Sequence, residues 1–416
     1  MGYLALGNNT IGIFNTAIGS NALVGNTTGA NNTGVGSGAL VSNMAGDSNT
    51  AIGTAGLGEN FSANNNTASG YQALNQNSSG NNNTATGYQT LFSNTNGGSN
   101  TGSGYDALYF NKSGNFNTAA GRGALYHNTT ANNNVATGYQ ALNANKTGTA
   151  NTATGTQALQ ADTGSNNTAD GYQALNKNTV GVQNVASGYQ ALLANTSGLI
   201  NTAIGAFALD NCQTGAGNIA VGFNAGSAIT SGGNNVDIAN TGMNESSTIR
   251  IGSSNQTNTY IAGISGVTVA GGIGVIVDSN GHLGTSTSSA RYKENIQPMD
   301  NASEAILSLQ PVRFRYKKEL DPDGIPQFGL VAEDVAKVSP ALVARDEQGK
   351  PYSVRYEAVN AMLLNEFLKE HSKVEQQEAT IAQLKKQVDA LTKGLQKVSD
   401  QLELSKPAPR TVLNDQ

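Results

Sequence analysis

Residues 15–23 read NTAIGSNAL, and the phrase returns as NTASGYQAL at 66–74, NTATGYQTL at 83–91 and NTADGYQAL at 167–175. Its glycine recurs at Gly2, Gly19, Gly36, Gly53, Gly70, Gly87, Gly104, Gly121, Gly138 and Gly155, each 17 residues after the last. One step of 16 residues leads to Gly171, and the period resumes at Gly188, Gly205 and Gly222. The position two before each glycine is Ala or Gly throughout, from Ala17 and Gly34 to Ala220, as close packing against a neighbouring coil requires. The last position is Leu from Leu23 to Leu209, one per coil at fixed phase, which reads as a core ladder. The position before the glycine is permissive: Ile18, Val35 and Ile52, then Ser69, Thr86 and Asp170, then Ile204 and Val221.

A fixed period with one invariant apolar position is the mark of a repeat architecture. Gly and Asn at this density oppose helix, and both supply turn residues with φ > 0 between short strands. The repeats therefore predict a parallel β-solenoid with strands of four or five residues. About fourteen coils at ~4.8 Å spacing make a rod of roughly 65 Å. Stacked Asn side chains can hydrogen-bond from coil to coil. One Leu and a few Ala per coil leave little to bury, so the ladder is expected to be shared between chains standing side by side. Met1 enters in mid-repeat, as if the array were longer.

Composition points the same way. Of 416 residues 51 are Gly, none is Trp and 12% are charged, which argues against a large conventional core. Residues 1–246 hold 4 Lys/Arg and 8 Asp/Glu, and residues 247–416 hold 19 and 20. Neither part is basic, so no phosphate-tracking surface and no nucleic-acid partner are expected. Cys212 is alone and can form no disulfide within the chain. The start MGYLALGNN lacks the basic and apolar segments of a signal peptide. No apolar run is long enough to cross a membrane, so no membrane insertion is expected. His127, His282 and His371 stand far apart, and neither a metal nor a cofactor is expected.

The NTAIG at 15–19 and 201–205 and the NIAVG at 218–222 resemble the head repeats of trimeric autotransporter adhesins of the YadA type. That resemblance covers residues 1–226 and implies a left-handed parallel β-roll shared by three chains. The 17-residue coils, the polar residues in many Ile positions and the missing C-terminal membrane anchor depart from it.

Beyond Gly226 the period lapses. Residues 247–287 alternate apolar and polar residues between Gly/Asn turns and read as a β-rich neck after a 1–246 head. At the border stands TSTSSARYKENIQPM, residues 285–299. From Ser288 it resembles the opening of the self-cleaving intramolecular chaperone found at the C-terminus of endosialidases and other phage tail spikes (peptidase S74). The pattern S-[DS]-x-R-x-K-x-N-I is matched at each fixed position, and the likeness continues through PVRFRYKKEL, QFGLVAEDV and YSVRYEAVNAMLLNEFLKEH. It implies a small α/β chaperone at 288–362 that trimerises, templates the β-fibre before it and then cuts itself off. The resemblance assigns Ser288 as nucleophile and Lys293 as base, with scission between Thr287 and Ser288 and with Arg291 and Asn295 in support. A hydroxyl needs a base to become a nucleophile, and a lysine amine serves where desolvation or a nearby cation favours its neutral form. Arg291, always charged, is such a cation.

From Phe367 the a positions of a heptad fall at Val374, Ile381, Val388, Leu395 and Leu402, with Leu363, Leu384, Leu391 and Val398 at d, over 363–404. β-branched a with Leu at d leans toward two strands, whereas both resemblances imply three. Residues 405–416 read as a disordered tail.

The functional expectation is a homotrimeric fibrous adhesin of a virion tail fibre or a bacterial surface, partnered by itself and by a host-surface glycan or protein. A glycan-degrading spike is the alternative, though the repeat carboxylates are scattered singly and offer no acid/base pair. A third reading is ice or mineral binding through Thr16, Thr33, Thr50, Thr67, Thr84, Thr101 and Thr118, a ladder that breaks at Val135 and Val185. Tyr71, Tyr88, Tyr105, Tyr139, Tyr172 and Tyr189 share one phase, suited to sugars or to a chain interface.

Overall fold

The computed structural model describes residues 2–278, 280–346 and 348–405. The chain divides into two compact units, one ending at Ile261 and the other starting at Ala262. In the first, each coil contributes a strand of three residues, from Thr16–Ile18 (β1) to Ile249–Ile251 (β15). Among the described residues these fifteen strands form one parallel sheet in strict chain order. Register follows the repeat: Thr67 faces Thr84, Ala68 faces Ala85 and Ser69 faces Thr86. The strands are shorter than expected because the glycine that follows each of the first thirteen, Gly19 to Gly222, adopts a φ between 121° and 140°, which ends the extended run.

The glycine ladder is set by contact as much as by backbone angle. A Cβ built on Gly87 would lie 2.5 Å from the carbonyl oxygen of Gly104. Two positions on, and again at the leucine, the chain turns through the left-handed region. In one coil Asn65, Gln72 and Leu74 have φ of 59°, 53° and 52°. Asn and Gly were the expected suppliers of these angles, yet Leu adopts them in each coil from Leu23 to Leu209. Such a backbone costs about 1–2 kcal/mol per residue. Complete burial of the side chain returns about 1.5–3 kcal/mol, and each amide is bonded to the next coil, as Leu57 N–H is to Ala73 O at 3.0 Å.

The interior explains why one chain suffices to close it. The twelve ladder leucines, Leu23 to Leu209, are fully buried within a single chain, so the expected sharing of the ladder between chains is not needed. What fills the remaining space is asparagine. One ladder, the first residue of the N-T-A motif, runs through Asn32, Asn49, Asn66 and Asn83; a second runs through Asn26, Asn43, Asn60 and Asn77, all with no exposed surface. Asn77 Nδ2 donates to Asn60 Oδ1 at 3.2 Å and to Gly80 O at 2.8 Å. The same carbonyl accepts Asn66 Nδ2 at 2.9 Å, and Asn66 Oδ1 accepts Asn83 N–H at 2.9 Å. The two ladders thus brace each other across each coil. A buried amide left unpaired costs about 1–3 kcal/mol; stacking identical coils removes that cost along the rod.

The 16-residue step falls at the turn after Asp162, and the strands stay in register across it, Thr152 facing Thr168. The sheet runs on to Ile251, beyond residue 246, by a shortened coil in which Val236 pairs with Ile249. There Asp237 and, opposite it, Arg250 take the position held in the earlier strands by Ala or Gly, and Arg250 Nε is bonded to Glu245 at 2.6 Å.

The second unit begins with an antiparallel pair, Val275–Val277 (β16) and Leu283–Thr285 (β17). Two further hairpins follow, Val312–Phe314 (β18) with Gln327–Gly329 (β19), and Val343–Arg345 (β20) with Pro351–Val354 (β21). Helix α1 spans Ala332–Val338, and helix α2 runs unbroken over Tyr356–Leu404. Val335, Leu342, Val343, Val354 and Met362 form a small core where α1, β20, β21 and the start of α2 meet. Residues 406–416, which hold the expected tail, lie outside the described residues.

Candidate functional site

The seam follows β17 directly. Thr287 and Ser288 lead into a single 3-10 turn, Ala290–Tyr292, begun by Ser289. The amides of Tyr292 and Lys293 donate to Ser289 O and Ala290 O, both at 3.1 Å. This turn reverses the chain far enough that Lys293 Nζ donates to Ser288 Oγ at 3.3 Å. Arg291 extends its guanidinium over the Tyr292 ring, 5.0 Å from the centroid. Asn295 sits in the left-handed region with φ of 53°, where the chain bends again. Thr287, Ser288, Arg291, Lys293 and Asn295 are all exposed in the single chain. The turn therefore brings an amine to a hydroxyl beside the Thr287–Ser288 peptide, within reach for proton transfer, and leaves both open to water.

The rest of the unit anchors helix α2. Ser303 is fully buried; its hydroxyl donates to Glu366 Oε1 and accepts Asn365 Nδ2 at 2.7 Å. Lys369 Nζ pairs with Glu366 at 2.7 Å, and that lysine and the Ser303 hydroxyl hold the Glu366 carboxyl below the usual range. Tyr356 Oη accepts the amide of Leu330 at 3.1 Å. Sequence reasoning missed this network, because single polar residues more than sixty positions apart carry no period. Beyond it, α2 exposes Val374, Ile381, Leu384, Val388, Leu391, Leu395, Val398 and Leu402, each at least 46%. A helix about 73 Å long whose apolar stripe, interrupted at the d positions Glu370 and Gln377, faces water is suited to partner helices.

Among the described residues no group of three His, Cys, Asp or Glu is placed to hold a metal ion, and no helix is long and apolar enough to cross a membrane. The tyrosine stripe is half exposed, with Tyr71, Tyr88 and Tyr105 stacked at centroid distances of 5.3 and 4.8 Å. Two buried substitutions interrupt the second asparagine ladder. Asp162 receives Gly164 N–H at 2.9 Å and Asn178 Nδ2 at 2.6 Å, and burial outweighs these bonds, so its carboxyl is pushed up to about 6. Cys212 brings a thiol where an amide is due, leaving Asn195 Oδ1 without a partner. Burial pushes the Cys212 thiol up, so it stays protonated and inert.

Residues 288–344 match the family model for the chaperone of endosialidase, peptidase S74. The match begins at Ser288 and takes in Lys293, the first two hairpin strands β18 and β19, α1 and the start of β20. No curated protein and no solved structure matches the chain. A match to the chaperone of endosialidase after a parallel β-solenoid fits a fibrous protein of the tail-fibre or tail-spike type.

Proposed function

We infer that the chain forms a homotrimeric, tail-fibre-like adhesin whose C-terminal unit drives assembly and is then released between Thr287 and Ser288. The observation that carries this reading is the Ser288–Lys293 contact at the first residue of the matched chaperone domain. The neutral Lys293 amine takes the Ser288 hydroxyl proton as Oγ attacks the Thr287 carbonyl carbon. The peptide C–N bond breaks, its nitrogen takes up a proton, and Thr287 is held as an ester on Ser288. Water then cleaves the ester, leaving a Thr287 carboxylate and a new N-terminal Ser288 amine. Each chain reacts once.

The exposure of the pair ties scission to assembly. In the single chain the pair stands open to water; packing against other copies of the chain would close it off and complete the site. The apolar stripe of α2 supports such packing, and three chains are the number implied by the chaperone family. After release, the solenoid fibre serves attachment to a host surface.

Ser288→Ala is the test. On a denaturing gel after folding, the wild type is expected as two fragments split at residue 288, and the variant as one full-length band of unchanged oligomeric mass. Two full-length bands would refute autoproteolysis in this chain.

A further inference from the structure

The tyrosine stripe on the exposed side of the repeat is broken at Arg122 and again at Thr156. After Gly70, Gly87, Gly104, Gly121 and Gly138 the next residue is Tyr71, Tyr88, Tyr105, Arg122 and Tyr139. The next position is Gln72 and Gln89, then Asp106, then Gly123, then Gln140 and Gln157. The glutamines form their own ladder, Gln89 Nε2 donating to Gln72 Oε1 at 2.7 Å and Gln173 Nε2 to Gln157 Oε1 at 2.9 Å. Gly123, like Gly38 at the same phase, puts no side chain on its rung, and at Gly123 a cleft of about 230 Å³ opens.

Three observations show that this gap is furnished. Asp106 Oδ1 is buried at the gap and has no hydrogen-bond partner, since the rung that would donate to it is Gly123. The Arg122 guanidinium lies between two aromatic faces, 5.6 Å from the Tyr105 centroid and 5.9 Å from that of Tyr139, and among the described residues no acceptor engages its N–H groups. On the far side, Gln140 Oε1 is taken by Gln157 and Gln160 Nε2, at 3.5 and 3.1 Å, leaving its own amide donor for the gap. Asp106 and Gln140 are two rungs apart, about 9.5 Å, with His127 and Tyr126 as a side wall.

The geometry points to the cleft at Gly123 as a binding subsite for one neutral hexopyranose ring of a surface glycan, held by Asp106, Arg122 and Gln140 against the wall of Tyr126 and His127. A sugar hydroxyl donates and accepts at once, so one such group satisfies Asp106 Oδ1 while taking an N–H from Arg122. The aromatic wall of Tyr126 and His127 accepts the apolar C–H face of the ring. The volume suits one ring and is small for a larger ligand. Arg122 offsets the Asp106 charge, so the cleft presents a balanced pair rather than a net charge, which suits a neutral ring. This inference deepens the adhesin reading and rests on it for the source of the glycan.

Two substitutions close the cleft by restoring the repeat. Gly123→Gln introduces the residue that neighbouring coils hold at the same backbone angle, φ being 63° at Gly123 and 53° at Gln140; a Cβ there meets nothing nearer than 3.4 Å. Arg122→Tyr completes the tyrosine stack. Fluorescent full-length protein is applied to an array of neutral glucose-, galactose- and mannose-containing oligosaccharides alongside sialylated and uronic-acid ones. The wild type is expected to bind neutral members, and each variant at least tenfold more weakly, with melting temperature and oligomeric mass unchanged. Binding retained by both variants, binding confined to acidic members, or no binding by the wild type overturns the subsite. So does a lower oligomeric mass in either variant, which would make the stripe a chain interface. None of these outcomes touches the processing at Ser288, which the gel reads separately.

Discussion

At the scale of single residues, the asparagine ladders show how polar side chains can serve as core. Each amide is both donor and acceptor, so a column of identical residues at one spacing satisfies itself, and one foreign residue is felt by its neighbours. Asp162 is such a residue. Its carboxyl titrates near pH 6 because burial opposes the charge, against ~3.9 in an unfolded chain. The native state therefore holds an extra proton between about pH 4 and 6. The stability linked to that proton is complete below about pH 4 and lost as pH rises through 6. Asp162→Asn carries no charge and keeps the acceptor, so it is expected to raise stability by up to about 3 kcal/mol at pH 7.5 and to change little at pH 4. Thermal melts at the two pH values check this; an equal shift at both would mean that Asp162 does not titrate in the fold.

At the scale of the coil, much of the architecture was legible because a repeated unit repeats its errors as well as its signals. The 17-residue glycine phase, the small residue two before it and the leucine translate directly into strand, turn and core. The burial of asparagine was not legible, since the same residue type is the commonest sign of an exposed turn. Nor were the left-handed leucines, because local preference is overridden only by the coil-to-coil bonds that the finished stack supplies. The glycines themselves are of two kinds, and substitution separates them. In Gly138→Ala, with φ of 135°, a Cβ would stand 2.5 Å from Gly155 O and keep the next coil away. Coils bond only to their neighbours, so the damage is local. Limited proteolysis is expected to nick this variant near residue 138 and leave the coils on either side protected. Gly123→Ala, where space is open, is expected to resist protease like the wild type.

At the scale of the whole molecule, the two units differ in what they leave exposed. The solenoid closes its own leucine and asparagine interior within one chain, whereas α2 presents an apolar stripe that no part of its own unit covers. The seam motif and the heptads were legible as short-range patterns, five and seven residues in span. The network joining Ser303 to Glu366, which ties the chaperone core to that helix, was not. Assembly is therefore expected to matter for processing more than for holding the rod together. Leu384→Asp with Leu391→Asp places two charges on the stripe at positions 53% and 68% exposed in the single chain, so the monomer helix tolerates them while a helix bundle does not. Light scattering is expected to show this full-length double variant as a monomer, and a denaturing gel to show it uncleaved at residue 288, because the Ser288–Lys293 pair stays open to water. Whatever fraction folds is expected to keep the β signal of the solenoid on dilution. Cleavage at the wild-type rate in a monomeric variant would break the link between assembly and scission; loss of β signal on dilution would show that the rod depends on neighbouring chains after all.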